Sequence, residues 1–118
     1  MAVSVDFLEA ISILTIPADL NCTEISDLFK SPDFPKAGHG NVIIDFSSTK
    51  SIEGPELLEN IHDLQDEREK SLVFCGGKKE MLNHLNEVFG EDFFNIVPTR
   101  DEAVDMVYME EQERELFN

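Results

Sequence analysis

Apolar residues recur with a period of two over the first sixteen residues of the chain. Val3, Val5 and Phe7 share one side of this alternation, and isoleucines continue near the same period up to Ile16. A period of two is typical of a β-strand with one buried face. The pattern therefore predicts either one long strand or a hairpin that bends near Glu9.

Three later apolar runs, NVIIDF, SLVFC and FFNIVP, predict further short strands. Apolar residues at helical spacing precede, separate and follow these runs, so a predicted helix follows every predicted strand. This order with short connections favours parallel strands and right-handed crossovers. We therefore predict one α/β domain over residues 1–118, with a frayed acidic end over about residues 110–118.

Residues that suit helix ends flank several of the predicted helices. Asn21 or Thr23 is a suitable N-cap for the first helix. Thr99 is a suitable N-cap for the last one, and Glu102 stands three residues further on, as in a capping box. Gly90 occupies a C-cap position at the end of the third helix.

Acidic residues dominate the charge of the chain. The 25 Asp and Glu against nine Lys and Arg give a net charge of −16. Nucleic acids need Lys and Arg to replace the counterions of their phosphates, and anionic membranes attract basic segments. The charge therefore argues against both as partners. It leaves two explanations open: a solvated helix face that keeps the protein soluble, or a protein partner with a basic surface.

The apolar runs of the chain are all short. None approaches the roughly 20 residues that span a bilayer, and the first ten residues lack the basic start and apolar stretch of a signal peptide. We therefore expect a cytoplasmic protein without membrane insertion. In that compartment Cys22 and Cys75 are expected to be buried free thiols rather than a disulfide.

The sequence contains no convincing catalytic or metal-binding pattern. The histidines His39, His62 and His84 are scattered without Cys, Asp or Glu at ligand spacing, and the last two fall on helix positions that look exposed. Carboxylates are so numerous that no pair stands out as an acid/base couple. We therefore expect neither an enzyme nor a bound metal or other cofactor, but a binding or regulatory module.

One glycine-rich turn offers a candidate anion site. Gly76 and Gly77 follow the run SLVFC, and Lys78 and Lys79 stand at the start of the next helix, whose free N–H groups favour anions. The full phosphate-binding pattern of a P-loop is absent, and the glycines equally suit a simple strand-to-helix turn. A small-ligand or nucleotide-binding domain that uses this turn is one alternative function.

The segments from NVIIDF onward resemble, as an ordered set, the STAS domain, the family named after sulphate transporters and anti-sigma factor antagonists. The matching segments are NVIIDFSSTKSIEGPELLENI, SLVFCGG, MLNHLNEVFGEDFFNIVPT and RDEAVDMV, about two-thirds of the chain. The resemblance implies a bacterial regulatory protein with a mixed sheet of four to five strands. It also implies about four helices, mostly on one face of the sheet, and an antiparallel N-terminal edge strand.

The phosphorylation motif of this family falls on the segment KSIEGPEL. Ile52 takes the apolar position, Glu53 the usual aspartate, Gly54 the next position, and Glu56 that of the usual glycine. Pro55 takes the position of the phosphorylated Ser or Thr. Because proline has no hydroxyl, the resemblance implies that the usual phosphorylation switch is absent.

The residues of this segment also suit a helix start. Pro55 is well placed at a first helical position because its missing N–H costs nothing there, and Gly54 can act as a weak N-cap. Glu53 and Glu56 place negative charge at the positive end of the helix dipole, a contribution of about 0.3–1 kcal/mol each. We favour this helix-start chemistry over the alternative that the two glutamates mimic a permanently phosphorylated state.

The resemblance implies a protein partner, such as an anti-sigma factor, a kinase-like protein or another regulatory protein, with this chain as a monomer or weak dimer. We place the partner surface on the junction and the helix after it: Glu53, Gly54, Pro55, Glu56, Glu59, His62 and Asp63. An alternative is a module that is still phosphorylated at a nearby hydroxyl, with Ser51 and Thr49 as candidate phosphoacceptors. Ser47 and Ser48 lie close by and are further possible acceptors, but we favour a role as polar loop residues for all four.

Overall fold

The alternating N-terminal segment folds into a β-hairpin in the computed structural model, which describes residues 3–31, 34, 40–90 and 93–117. Strands β1 (Ser4–Leu8) and β2 (Ile11–Thr15) pair antiparallel, with Leu8 opposite Ile11. Glu9 turns the chain with a positive φ of 51°. Of the two predicted arrangements, the hairpin is therefore confirmed.

The main sheet has five strands in the order β1-β2-β4-β6-β7. Its remaining strands are β4 (Asn41–Asp45), β6 (Leu72–Cys75) and β7 (Asn95–Val97). The strands β2, β4, β6 and β7 run parallel, and β1 is the antiparallel edge. The predicted mixed sheet is confirmed.

Helices cover both faces of this sheet unequally. They are α1 (Cys22–Lys30), α2 (Leu57–Glu67), α3 (Lys79–Phe89) and α4 (Arg100–Phe117). One apolar cluster joins α1, α2 and α3 to alternate sheet residues such as Ile44. A second, smaller cluster joins α4 to the residues between them, such as Ile43. Three helices thus lie on one face and one on the other, as predicted.

A second sheet of two short strands was not predicted. Strands β3 (Asp19–Asn21) and β5 (Ser51–Glu53) pair in parallel, with Asn21 opposite Glu53. Each has three residues, too few to show a periodic pattern in the sequence. The pair fixes the segment before α2 beside the start of α1.

The predicted N-caps are present. The Oδ1 atom of Asn21 accepts the Thr23 N–H at 2.9 Å, and Thr99 Oγ1 accepts the Glu102 N–H at 3.2 Å. The Glu102 carboxylate accepts from the Thr99 hydroxyl rather than from its backbone N–H, so the capping box has an altered second bond.

The acidic C-terminal segment, for which the sequence predicts a frayed end, is helical as far as Phe117. Two of its side chains contact the sheet: Asn41 Nδ2 donates to Glu111 Oε1 at 2.6 Å, and Arg114 Nη2 donates to Ser71 Oγ at 3.2 Å. These contacts tie the last turns of α4 to the starts of β4 and β6.

No helix within the described ranges combines the length and apolar character needed to cross a bilayer.

Candidate functional site

The junction between β5 and α2 is a tight turn around a proline. Gly54 has a φ of +69°, a left-handed conformation that glycine adopts without strain. Pro55 and Glu56 follow in a turn, and the N–H groups of Leu57 and Leu58 each bond to the carbonyl three residues earlier, at 3.0 Å. The predictions that Pro55 begins the α-helix and that Gly54 caps it are therefore wrong. The α-helix begins at Leu57, and Glu56 rather than Gly54 occupies the N-cap position.

Carboxylates are exposed along this junction and along the first turns of α2. Glu53, Glu56, Glu59 and Asp63 are all exposed, while Gly54 and Pro55 are half-buried. The last three acids recur every three or four residues, so they lie along one side of the helix. The structure thus brings the acidic members of the predicted partner surface together.

His62 differs from the prediction of an exposed histidine. Its ring contacts Phe93 and Phe94, with centroid distances of 4.7 and 5.7 Å, and 26% of its side chain is exposed. Its Nδ1 atom is buried, without a hydrogen-bond partner among the described residues. His62 is half-buried because the aromatic residues before β7 pack against α2. His84 is exposed as predicted, and His39 lies outside the described residues.

The two candidate phosphoacceptors near the junction lie in different surroundings. Thr49 is fully buried, and its hydroxyl donates to the Ile16 carbonyl at 3.4 Å. A kinase could reach this hydroxyl only after local opening of the chain. Ser51 is the first residue of β5, and its phosphorylation stays a prediction. Ser47 and Ser48 are exposed in the turn that follows β4.

An ion pair that sequence reasoning missed lies at the end of β4. Asp45 Oδ2 accepts from Arg100 Nε at 3.2 Å and from Nη2 at 2.8 Å, and Nη2 also donates to Thr15 Oγ1 at 3.1 Å. Asp45 Oδ1 accepts the Ser47 N–H at 2.8 Å. Burial acts to raise the pKa of Asp45, but the bonds from Ser47 and Arg100 outweigh it, so the pKa is lowered. The sequence offers one sign of this ion pair: an aspartate, Asp45, ends a strand of otherwise mostly apolar residues.

The glycine-rich turn borders an open cavity of about 390 Å³. Gly76 and Gly77 have φ values of +71° and +84°, and a Cβ on Gly76 would lie 2.7 Å from the Ser47 nitrogen. Lys78 precedes α3 without a side-chain cap for its first N–H groups. The cavity lining comprises Ser47, Gly76, Gly77, Lys78, Leu82, Ile96, Val97 and Pro98. Three of the four predicted anion-site residues therefore line one cavity, and Lys79 does not.

The two cysteines are free and buried, as predicted. Burial, with the Glu56 carboxylate as a second cause, raises the pKa of Cys22 to about 12. Burial and the neighbouring Asp45 raise the pKa of Cys75 to about 11. Neither thiol is in a state suited to nucleophilic chemistry at neutral pH, because the thiolate is the reactive form.

Comparison with solved structures identifies the fold. The anti-sigma factor antagonist SpoIIAA in its unphosphorylated form superimposes with a TM-score of 0.67 and 12% identity, over 91% of this chain and 98% of that chain. The Bacillus cell fate determinant SpoIIAA in the phosphorylated form gives 0.65 and 11%, over 90% and 99%. The predicted STAS-like fold is therefore confirmed. No family model and no curated protein matches the chain.

Proposed function

We propose that this protein is a non-enzymatic regulatory module that binds a protein partner through the β5–α2 junction and the exposed side of α2. The observation that carries the proposal is the set of exposed carboxylates, from Glu53 to Asp63, around a hydrogen-bonded turn. A structurally similar protein, SpoIIAA, is an anti-sigma factor antagonist. The fold likeness therefore supports a regulatory role, and the charge of −16 favours a partner with a basic surface.

The absence of a switch at this junction is part of the proposal. SpoIIAA has a phosphorylated form, whereas Pro55, at the position that the resemblance assigns to the phosphoacceptor, has no hydroxyl. Glu53 and Glu56 supply carboxylates beside it without any modification. We expect an interaction that phosphorylation at this position does not turn on or off.

The test is charge reversal on the proposed surface. Glu56→Arg and Glu59→Arg should each reduce the amount of partner that co-purifies with the protein from its own cells, measured by quantitative mass spectrometry. Asp105→Arg makes the same charge change at an exposed position on α4, on the opposite face, and should leave the yield unchanged. Gly54→Arg is unsuitable because the φ of +69° would strain any other residue.

Equal partner yields from the wild type and both α2 variants would contradict the proposed surface. An equal loss in all three variants would assign the effect to net charge rather than to this surface.

A second candidate function is small-ligand binding at the cavity beside Gly76 and Gly77. It is favoured by the position of the cavity, because open parallel sheets place ligands at the carboxyl ends of their strands. Thermal denaturation with inorganic phosphate and with adenine nucleotides tests it, since a ligand at about 100 times its Kd adds roughly 2.7 kcal/mol to stability. Lys78→Gln should abolish any shift, and the absence of a shift in the wild type would remove this candidate.

A further inference from the structure

Three rings form a continuous aromatic row between α2 and α3. Phe89 and Phe93 stack with centroids 5.4 Å apart and an interplanar angle of 15°, and Phe93 contacts the His62 ring at 4.7 Å. All three side chains are partly exposed, and the neighbouring Val88 is 46% exposed. Phe89 and Phe93 also pack against the core, so the row is the partly accessible edge of that core.

Two carboxylates stand at the His62 end of the aromatic row. The Oδ1 atom of Asp63 lies 3.5 Å from His62 Nδ1, and Asp66 Oδ2 lies 4.0 Å from it. Both aspartates are highly exposed, at 64% and 75%. In the part of the chain that the structure describes, neither carboxylate pairs with a lysine or an arginine. Asp66 also lines a small cavity with Lys70 and Arg114, but neither cation lies within 4.0 Å of its carboxylate. The aromatic row and the two aspartates together form a surface with exposed carboxylates beside its rings.

We infer that the aromatic row, with Asp63 and Asp66, docks an arginine side chain of a protein partner. A guanidinium group stacks on aromatic rings and binds carboxylates through paired N–H groups, so one arginine can use both halves of this surface. Lysine has no planar group to stack in this way. A second copy of this chain is a poor occupant, because two molecules that each carry a net charge of −16 repel one another.

This inference rests on the proposed function only for the existence of a protein partner. The two surfaces share His62 and Asp63, but the arginine site extends to Asp66 and the aromatic row, whereas the proposed surface begins at the β5–α2 junction. The inference adds a defined chemistry, arginine recognition, that acidic residues alone do not supply.

The test is a titration of the full-length protein, labelled for NMR, with three peptides that differ in one side chain type. The probes are acetyl-Gly-Arg-Gly-Arg-Gly-amide, its lysine counterpart, and its citrulline counterpart, which keeps the shape of arginine without the charge. We expect the arginine peptide to shift the ring resonances of His62 and Phe93 with a Kd of about 1 mM. The lysine peptide should bind about threefold more weakly, and the citrulline peptide should cause no saturable shift.

Matched variants separate this surface from general charge attraction. Asp63→Asn with Asp66→Asn should weaken the arginine peptide about fivefold. Asp101→Asn with Asp105→Asn makes the same charge change on α4 and should change the affinity by less than about twofold. Phe93→Leu keeps an apolar side chain, so a lower affinity in that folded variant, checked by its amide spectrum, reports the loss of the ring.

Equal binding of the arginine and lysine peptides, equal effects of the two double variants, or shifts that map elsewhere would each overturn the inference. None of these outcomes bears on the co-purification test with Glu56→Arg and Glu59→Arg. Arginine docking and the proposed partner surface can therefore fail separately.

Discussion

Asp45 shows how one polar side chain can join three elements. It ends β4, its carboxylate holds Arg100 at the start of α4, and the same guanidinium reaches Thr15 at the end of β2. Only 7% of Asp45 is exposed, so its charge depends on these partners. Removing such partners from a buried carboxylate lowers the free energy of unfolding, because the carboxylate then lacks bonds that compensate for the water it lost on folding.

Asp45→Asn should lower the free energy of unfolding at neutral pH by about 1–3 kcal/mol. A carboxyl group whose pKa is lowered on folding stabilises the protein above its unfolded pKa of about 3.9, and this contribution disappears as the pH falls through the folded pKa. Urea unfolding at pH 7, 5 and 3.5 should therefore show a gap between the wild type and variant that is constant at the upper two values and smaller at pH 3.5.

Asp27→Asn, at an exposed position of α1, is the control for the lost charge. Its free energy of unfolding should differ little from that of the wild type at every pH. A gap for Asp45→Asn that does not narrow at pH 3.5 would contradict the assignment of its stabilising effect to the ionised carboxylate.

At the residue scale, the two side-chain caps were predicted correctly, whereas the local prediction at Gly54 and Pro55 was wrong. The caps at Asn21 and Thr99 depend on residues two or three positions away, so the sequence contains the whole interaction. The pair of Asp45 and Arg100 spans 55 residues, and the packing of His62 depends on aromatic residues that follow another helix. Such contacts follow from the fold and cannot be obtained from spacing.

At the scale of elements, strand and helix types followed from periodicity, but boundaries and short pairings did not. The pair β3–β5 has too few residues for a pattern, and the turn at Gly54 delays α2 by two residues. The acidic end of α4 makes contacts that its sequence does not indicate. Its sequence is typical of a solvated, fraying terminus, yet Glu111 and Arg114 contact polar groups at the edge of the sheet.

Arg114→Gln should therefore lower the free energy of unfolding by about 0.5–1.5 kcal/mol through the loss of its bond to Ser71. It should also increase hydrogen exchange in the last two turns of α4, because their contact with the sheet is weakened. Arg68→Gln removes the same charge from an exposed position at the end of α2 and should change neither quantity measurably. Equal behaviour of the two variants would mean that the end of α4 is not held by Arg114.

At the scale of the whole molecule, repulsion among the charges that give a net charge of −16 destabilises the folded state. The molecule measures 37 × 29 × 23 Å, and the Debye length is about 30 Å at 10 mM salt. At low salt, electrostatic repulsion therefore acts between carboxylates across nearly the whole molecule. At about 0.15 M the range falls to about 8 Å, and only neighbours interact.

We expect the free energy of unfolding to rise by about 1 kcal/mol between 10 mM and 300 mM sodium chloride, as screening removes this repulsion. Urea midpoints at the two salt concentrations measure it. Two charge reversals at exposed positions of α4, Asp105→Lys and Glu113→Lys, each replace a negative charge with a positive one, so the net charge goes from −16 to −12. The salt effect should then be smaller, and an unchanged or larger effect would contradict this account.

The burial of both cysteines has a practical consequence for testing the proposed partner surface. Their pKa values of about 12 and about 11 keep the two thiols protonated at neutral pH, and alkylating reagents attack the thiolate. A cysteine introduced at exposed Glu59 or Asp105 would therefore react with a maleimide fluorophore or spin label well before the native thiols. Site-specific probes can be attached to either face of the sheet without first removing Cys22 and Cys75 and disturbing the core that they help to fill.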